Sequence, residues 1–364
     1  MLNAILEYAE QKIDLNRIEE SEQRFKKVLS WQEADRAPVV IMFGSDKFQP
    51  YSIPEIHEDL SKMMCNELLR STPAFDSECD CIPMLRANYG VGLFPSLFGA
   101  KSFIVNNNMP WVEAFDSVDK IKKVVDAGIP DLNTGFGAKV IETYEFFKEK
   151  LAPYEKCSKG IKLYHPDLQG PFDVAHLLWG SDIYYAIYDD PDLIHELMAL
   201  ISETYIKFME KLKTVMNDET DGFNYHWQSL YPGRVTLRDD SAVNLSLDCY
   251  KEFVKPYNQR ICEHFGNASM HFCGRADQWM YELIGEEKIK GHNFGRMDKY
   301  QFGPELLSQI YDKFKENKTA MCGFGITNEE AETFDFGKYK SGVSFNMSAK
   351  NKEEAEEVFS RSFK

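Results

Sequence analysis

His271 and Cys273 stand two residues apart in the segment Met270-His271-Phe272-Cys273-Gly274. On a strand, residues i and i+2 face the same side, so this imidazole and this thiol would converge. Both are preferred zinc ligands, and three protein ligands with an open fourth position is the arrangement of catalytic zinc. Cys322, in Met321-Cys322-Gly323, is the third candidate ligand. The same spacing also suits a core cysteine beside a core histidine, and the sequence leaves both readings open. Three more histidines fall at the ends of apolar runs: His165 in Tyr164-His165-Pro166-Asp167, His226 in Tyr225-His226-Trp227, and His292 in Gly291-His292-Asn293-Phe294-Gly295. Imidazoles exchange protons near neutral pH, so all three are candidates for orienting a substrate or shuttling a proton. Asp240, in Asp239-Asp240-Ser241, joins them; carboxylates there could bind substrate, hold a metal-site histidine, or only orient a loop and cap a helix. Tyr225 and Trp227 would wall the pocket, and Asn346 would meet substrate from the last strand.

Other constellations carry less. Cys79-Asp80-Cys81 could bind metal or simply pack a strand. Asp173 and His176 have D-x-x-H spacing, not the D-x-H-x-x-G pattern of a cobalamin site, so no cofactor is assigned to them. The chain has no G-x-G-x-x-G after a strand, no G-x-x-x-x-G-K-[ST] and no G-x-S-x-G, which removes the usual support for nucleotide binding and serine hydrolysis.

The elements that must position these residues are short apolar strands. Val39 to Phe43 is bounded by Pro38 and Gly44, the mark of a buried strand. Similar runs are Cys79 to Leu85, Ile161 to His165, Gly222 to Gln228, Ala268 to Cys273, Ile289 to Phe294, Thr319 to Cys322 and Val343 to Met347. Helical patterns separate most of them. The clearest opens at Asp190-Pro191 and repeats Ile194, Leu197, Met198, Ile201, Tyr205, Phe208 and Leu212 at helical spacing. Strands alternating with helices imply an α/β fold with a parallel sheet, and eight such units suggest a (β/α)8 TIM-type barrel. A doubly wound open sheet is the alternative. In a barrel the active site lies at the C-terminal ends of the strands, where the four histidines fall. The expected organisation is an N-terminal helical extension over 1–35 and a single barrel over 36–364. A long insertion between strands 2 and 3, residues 86–160, would serve as a lid.

Composition bounds the partners. The 364 residues carry 42 Lys plus Arg against 58 Asp plus Glu, a net charge of −16 that argues against nucleic-acid binding. No apolar run approaches the roughly 20 residues that span a bilayer, so no membrane partner is expected. The first residues lack the basic and apolar regions of a secretory signal. The eight scattered cysteines read as reduced thiols of a cytoplasmic protein. The 26 Phe, 18 Tyr and 5 Trp could line a pocket for an aromatic ligand, or simply fill the core.

Several segments together resemble the uroporphyrinogen decarboxylase-like superfamily: VLSWQEADRAPVV, GPFDVAHLLWG (170–180), YDDPDLIHELM (188–198), DDSAVNLSLDCYKEFVKPY (239–257) and HFCG (271–274). The resemblance runs from about Val28 to the C-terminus and itself implies a (β/α)8 barrel. True decarboxylases carry an Arg-Gln-Ala-Gly-Arg stretch after the first strand, whose arginines hold substrate carboxylates. Here that place reads Phe43-Gly44-Ser45-Asp46-Lys47, a poor host for a polyanionic porphyrinogen. Asp80 is the stand-in for their catalytic aspartate. The chain is more similar to the zinc-dependent methyltransferases that work with corrinoid proteins. In that branch H-x-C-G supplies two zinc ligands, matched by His271 and Cys273, and a cysteine nearer the C-terminus supplies the third. The last strand here offers Asn346, and Cys322 lies one strand earlier. The resemblance implies methyl transfer between a small molecule, such as an aromatic methyl ether undergoing O-demethylation, and a separate corrinoid protein that brings the cobalamin. The alternative is a decarboxylase acting on a smaller substrate.

Overall fold

The computed structural model describes residues 1–216, 218, 220–286, 288–295 and 303–363. Twelve strands fall among the described residues: β1 (Val39–Met42), β2 (Met84–Leu85), β3 (Lys101–Phe103), β4 (Trp111–Glu113), β5 (Lys162–Leu163), β6 (Phe223–His226), β7 (Ser229–Pro232), β8 (Thr236–Arg238), β9 (Ala268–Cys273), β10 (Ile289–Gly295), β11 (Ala320–Gly325) and β12 (Val343–Ser348). Six form one sheet in the order β1-β12-β11-β10-β9-β8, and every pairing in it is parallel. β2 and β5 form a second, two-stranded parallel sheet. Helices connect the parallel strands, so the fold is α/β around a parallel sheet. No helix among the described residues is long and apolar enough to cross a membrane.

The sheet strands are buried on both faces, as parallel strands covered by helices must be. All six residues of β9 except Cys273 are buried, and so are the first five of β11. The longest helix, Pro191–Met216, starts at the proline that the sequence singles out, and its apolar stripe from Ile194 to Leu212 is buried. That stripe packs against the helices Pro171–Trp179 and Lys255–Phe265. The N-terminal helices Leu2–Lys12 and Leu15–Leu29 bury Ile5, Leu6, Phe25 and Leu29 in the same core. Residues 86–160 contain the antiparallel hairpin β3–β4 and the helices Val118–Ala127, Gly137–Leu151 and Glu155–Gly160, and they connect β2 to β5.

The expected runs Cys79 to Leu85 and Ile161 to His165 shorten to β2 and β5 and pair only with each other, and a third run differs more. The run Gly222 to Gln228 does not enter the parallel sheet. It ends at His226, turns through Trp227 and Gln228, and pairs antiparallel with β7. Both turn residues have positive φ, +43° and +57°, as a two-residue hairpin of the primed type requires. Neither is the Asn or Gly that usually announces such a turn. The hairpin bridges the interior: Gln228 C=O accepts from Ile82 N–H at 2.9 Å, and Pro232 C=O accepts from Ser269 Oγ at 2.5 Å. The place beside β9 is taken by β8, only three residues long and absent from the sequence reading.

Candidate metal centre

Short β8 carries the chain from Arg238 straight into Asp239 and Asp240, and this delivers a carboxylate to the ends of the neighbouring strands. Arg238 lies level with His271 of β9, which lies level with Asn293 of β10. Asp240, His271 and Cys273 thereby converge, each offering a ligand atom within 4.8 Å of the others. His271 Nε2 is 3.4 Å from Cys273 Sγ and 3.5 Å from Asp240 Oδ1. Tetrahedral zinc with bonds of about 2.3 Å to sulfur and about 2.0–2.1 Å to nitrogen sets its ligands about 3.4–3.6 Å apart, so this donor set fits the ion.

The surroundings fix each donor. Asn293 gives its amide N–H to Cys322 C=O at 2.6 Å, which turns its Oδ1 toward His271 Nδ1, also at 2.6 Å. His271 therefore donates from Nδ1, and its Nε2 lone pair faces Cys273 and Asp240, the hydrogen-bonded orientation that metal-binding histidines adopt. Asp240 Oδ1 accepts from Cys273 N–H at 2.5 Å. The loop that holds Asp240 is itself held by Asp173, whose carboxylate accepts from Asp240 N–H at 2.8 Å and Ser241 N–H at 2.6 Å. His176 Nδ1 meets Ser241 Oγ at 2.8 Å. The Asp173/His176 pair is thus a brace for the Asp240 loop.

Glycine makes room for the cluster. A Cβ on Gly295 would lie 2.4 Å from Cys273 Sγ and 3.1 Å from His271 Cε1, too close for either to keep its place. Burial, then Asp240, push the metal-free Cys273 thiol up to about 12. Burial likewise holds His271 below the usual imidazole value, with Asp240 opposing. A cation at this point would favour the thiolate and the neutral imidazole that binding requires.

The cluster opens into a cavity of about 1160 Å³, which Trp227, Arg238, Asn293 and Asn346 also line. The Trp227 ring centre is 4.7 Å from that of His271, edge to face, and the Arg238 guanidinium lies 4.9 Å from the Trp227 ring centre. Arg238 pairs with Asp167 and is 3.2 Å from His226 Nε2. Burial, then Arg86, lower the Arg238 pKa to about 9.

The sequence candidates therefore separate into three groups. Asp240, His271, Cys273, Trp227 and Asn346 share this cavity. His165 and His226 lie behind it, their ring centres 5.1 Å apart, with the His226 ring centre 4.4 Å from that of Trp227 and tilted against it. Both are buried. Burial, then Arg238, lower His165 to about 3, and burial, then His165 and His271, lower His226 well below the ordinary value. The remaining candidates lie apart from this cluster. Cys322 Sγ points at Ser269 and Gly291, two residues deeper along the strands than His271 and Asn293, and so lies outside the Asp240–His271–Cys273 cluster. His292 faces the helical layer: its ring meets Phe314 at 5.7 Å, while its neighbours Gly291 and Asn293 face the interior. Tyr225 OH donates to Glu22 Oε1 at 3.0 Å, away from the cavity. Asp80 is sealed by Arg24, Arg36 and Val39 N–H, so it has no access to a substrate.

Two residues of the site escape sequence reading. Asn293 could have been found by applying to β10 the same two-residue periodicity that pairs His271 with Cys273. Arg238 gives no signal, because three residues are too few to show a strand pattern.

No protein-family model matches the chain, and no curated protein matches it. Among solved structures, a methyltransferase from Methanosarcina mazei is similar in fold, with a TM-score of 0.64 over 94% of this chain and 97% of that one, at 13% identity.

Proposed function

We propose that this protein is a zinc-dependent methyltransferase that moves a methyl group between a small molecule and a corrinoid carried by a separate protein. The observation that carries the reading is the Asp240–His271–Cys273 cluster, with donor separations suited to tetrahedral zinc and an open side on a large cavity. The fold shared with a methyltransferase supports the reaction class. Eight parallel strands in two sheets, with helices between them, support a (β/α)8 barrel with this cluster at its C-terminal mouth.

Asp240, His271 and Cys273 would hold the zinc. Bound there, zinc supplies Lewis acidity toward a substrate oxygen or lowers the pKa of a substrate thiol. Asn293 keeps His271 in the ligating tautomer, and Asp173 keeps Asp240 in reach. Trp227 covers one side of the cluster and limits water there. Arg238, fixed by Asp167, places a buried positive charge beside the cavity, suited to substrate charge that develops as a methyl group leaves. The cavity exceeds the roughly 300–1,000 Å³ usual for one small ligand, which leaves space for a second reactant to enter from a partner.

The test is transfer to free cob(I)alamin, followed by the absorbance of methylcobalamin, with a panel of methyl ethers and methyl thioethers as donors. Zinc-loaded wild type is expected to form methylcobalamin from at least one donor, and His271→Ala to lose this by 100-fold or more. Equal rates in His271→Ala would overturn the reading. The decarboxylase alternative has lost its candidate aspartate, Asp80, to an ion-pair network, and carbon dioxide release without methylcobalamin would restore it.

A further inference from the structure

Beside the metal cavity lies a second one of about 690 Å³, and Met42, at the end of β1, lines both. Its walls are apolar, built from Phe43, Phe48, Ile53, Ile56 and Met109. Its floor is not. Arg86, Glu67 and Asn88 line it while being only 7%, 1% and 5% exposed. Asn88 Nδ2 donates to Glu67 Oε1 at 2.9 Å, but Arg86 Nε and Nη1, Glu67 Oε2 and Asn88 Oδ1 have no hydrogen-bond partner. The acidic oxygen that faces Arg86, Asp167 Oδ2, is 3.6 Å from Nη1, beyond hydrogen-bond distance, while the other oxygen of Asp167, Oδ1, is engaged by Arg238 and by Gln169 Nε2 at 2.7 Å. Buried donors and acceptors left open in this way are costly unless a ligand or water meets them.

The charges say what kind of ligand. Arg70 and Arg86 line the cavity against one carboxylate, Glu67, so it carries one net positive charge. We infer that this second cavity holds the substrate by an anionic head: an apolar, ring-sized carboxylic acid whose carboxylate pairs with Arg86. A hydroxyl or amino donor beside the carboxylate would satisfy Glu67 Oε2 and Asn88 Oδ1. The body of the molecule lies among Phe43, Phe48 and Ile56, and its methyl-bearing end passes Met42 toward the metal cluster. This last step rests on the methyltransferase reading; the anion site does not.

The experiment is calorimetric titration of the zinc-loaded full chain with 3-methoxybenzoate and with the neutral methoxybenzene. The acid is expected to bind at least tenfold more tightly than the neutral ether, and Arg86→Gln to weaken the acid tenfold or more. Ile53→Trp, which fills the cavity from its rim and leaves Arg86 intact, is expected to abolish binding of both, so the result does not depend on Arg86→Gln folding well. No binding of the acid at millimolar concentration, equal affinity for the two probes, or equal affinity in Arg86→Gln would overturn the inference. Acid binding that survives in His271→Ala supports the anion site whatever the fate of the methyltransferase reading. Methyl transfer from an acid donor with a KM unchanged in Arg86→Gln would overturn the anion site and leave that reading intact.

Discussion

Asn293 is not one of the three clustered donors, yet the orientation of His271 depends on it. Its amide is held by Cys322 C=O, and its oxygen holds His271 Nδ1. Asn293→Ala is expected to lower zinc affinity by about 10–100-fold, read by competition with a chelator, while the thermal midpoint changes little. An unchanged affinity would show that His271 keeps its tautomer unaided. Gly295→Ala puts a methyl group against Cys273 Sγ and should also lose zinc, although it removes no donor. His165 gives a pH signature of a different kind. Its folded pKa, about 3, lies below the roughly 6.5 of an exposed imidazole. Between those values the unfolded chain binds one more proton, so stability falls as pH drops through that window, by about 1.4 kcal/mol per pH unit. His165→Gln should remove that share of the slope in urea titrations at pH 6 and pH 4. Of the cluster itself, His271 and Cys273 were legible in the sequence because residues i and i+2 of a strand face one side whatever strands flank it. The depth of Cys322 was not legible, because strand ends carry no mark of level in the sequence; its thiol lies two residues deeper than His271.

The β6–β7 hairpin shows why the fourth strand was misread. Sequence patterns announce tight hairpins through Asn-Gly or Asp-Gly, and this one turns on Trp227-Gln228, with φ of +43° and +57°. Left-handed backbone costs ordinary residues roughly 1–2 kcal/mol each, and such strain gathers at functional sites. Here it places the Trp227 ring against His271. Gln228 carries the same strain without that use, and its Nε2 is buried with no hydrogen-bond partner. Gln228→Gly is therefore expected to raise stability by about 1 kcal/mol, seen as a higher urea midpoint. A lower midpoint would mean that the Gln228 side chain contributes more by packing than the turn costs. The remaining sheet strands, β1 and β9 to β12, were legible because each is a buried apolar run bounded by turn residues. β8 was not, and with it Arg238 and the approach of Asp240 were hidden.

At the scale of the whole chain, the two ends of the sheet do different work. The end away from the metal cluster is tied to the N-terminal helices by Asp80, which pairs with Arg24 and Arg36 and accepts from Val39 N–H at 2.9 Å. Removing that carboxylate strands two guanidinium groups, so Asp80→Ala is expected to cost about 3–5 kcal/mol while leaving zinc content per folded molecule unchanged. Loss of zinc in step with folded protein that is otherwise stable would contradict this division. The opposite end carries the metal cluster, the cavity and the buried arginines. The net charge of −16 thus coexists with a second cavity lined by Arg70 and Arg86 against the single carboxylate of Glu67. Overall charge describes a pocket poorly. Metal analysis of the purified chain tests the Asp240–His271–Cys273 ligand set. One zinc per chain is expected in wild type and in Cys322→Ala, with loss in Asp240→Ala, His271→Ala and Cys273→Ala. A metal-free wild type, or zinc that depends on Cys322 and not on Asp240, would contradict it.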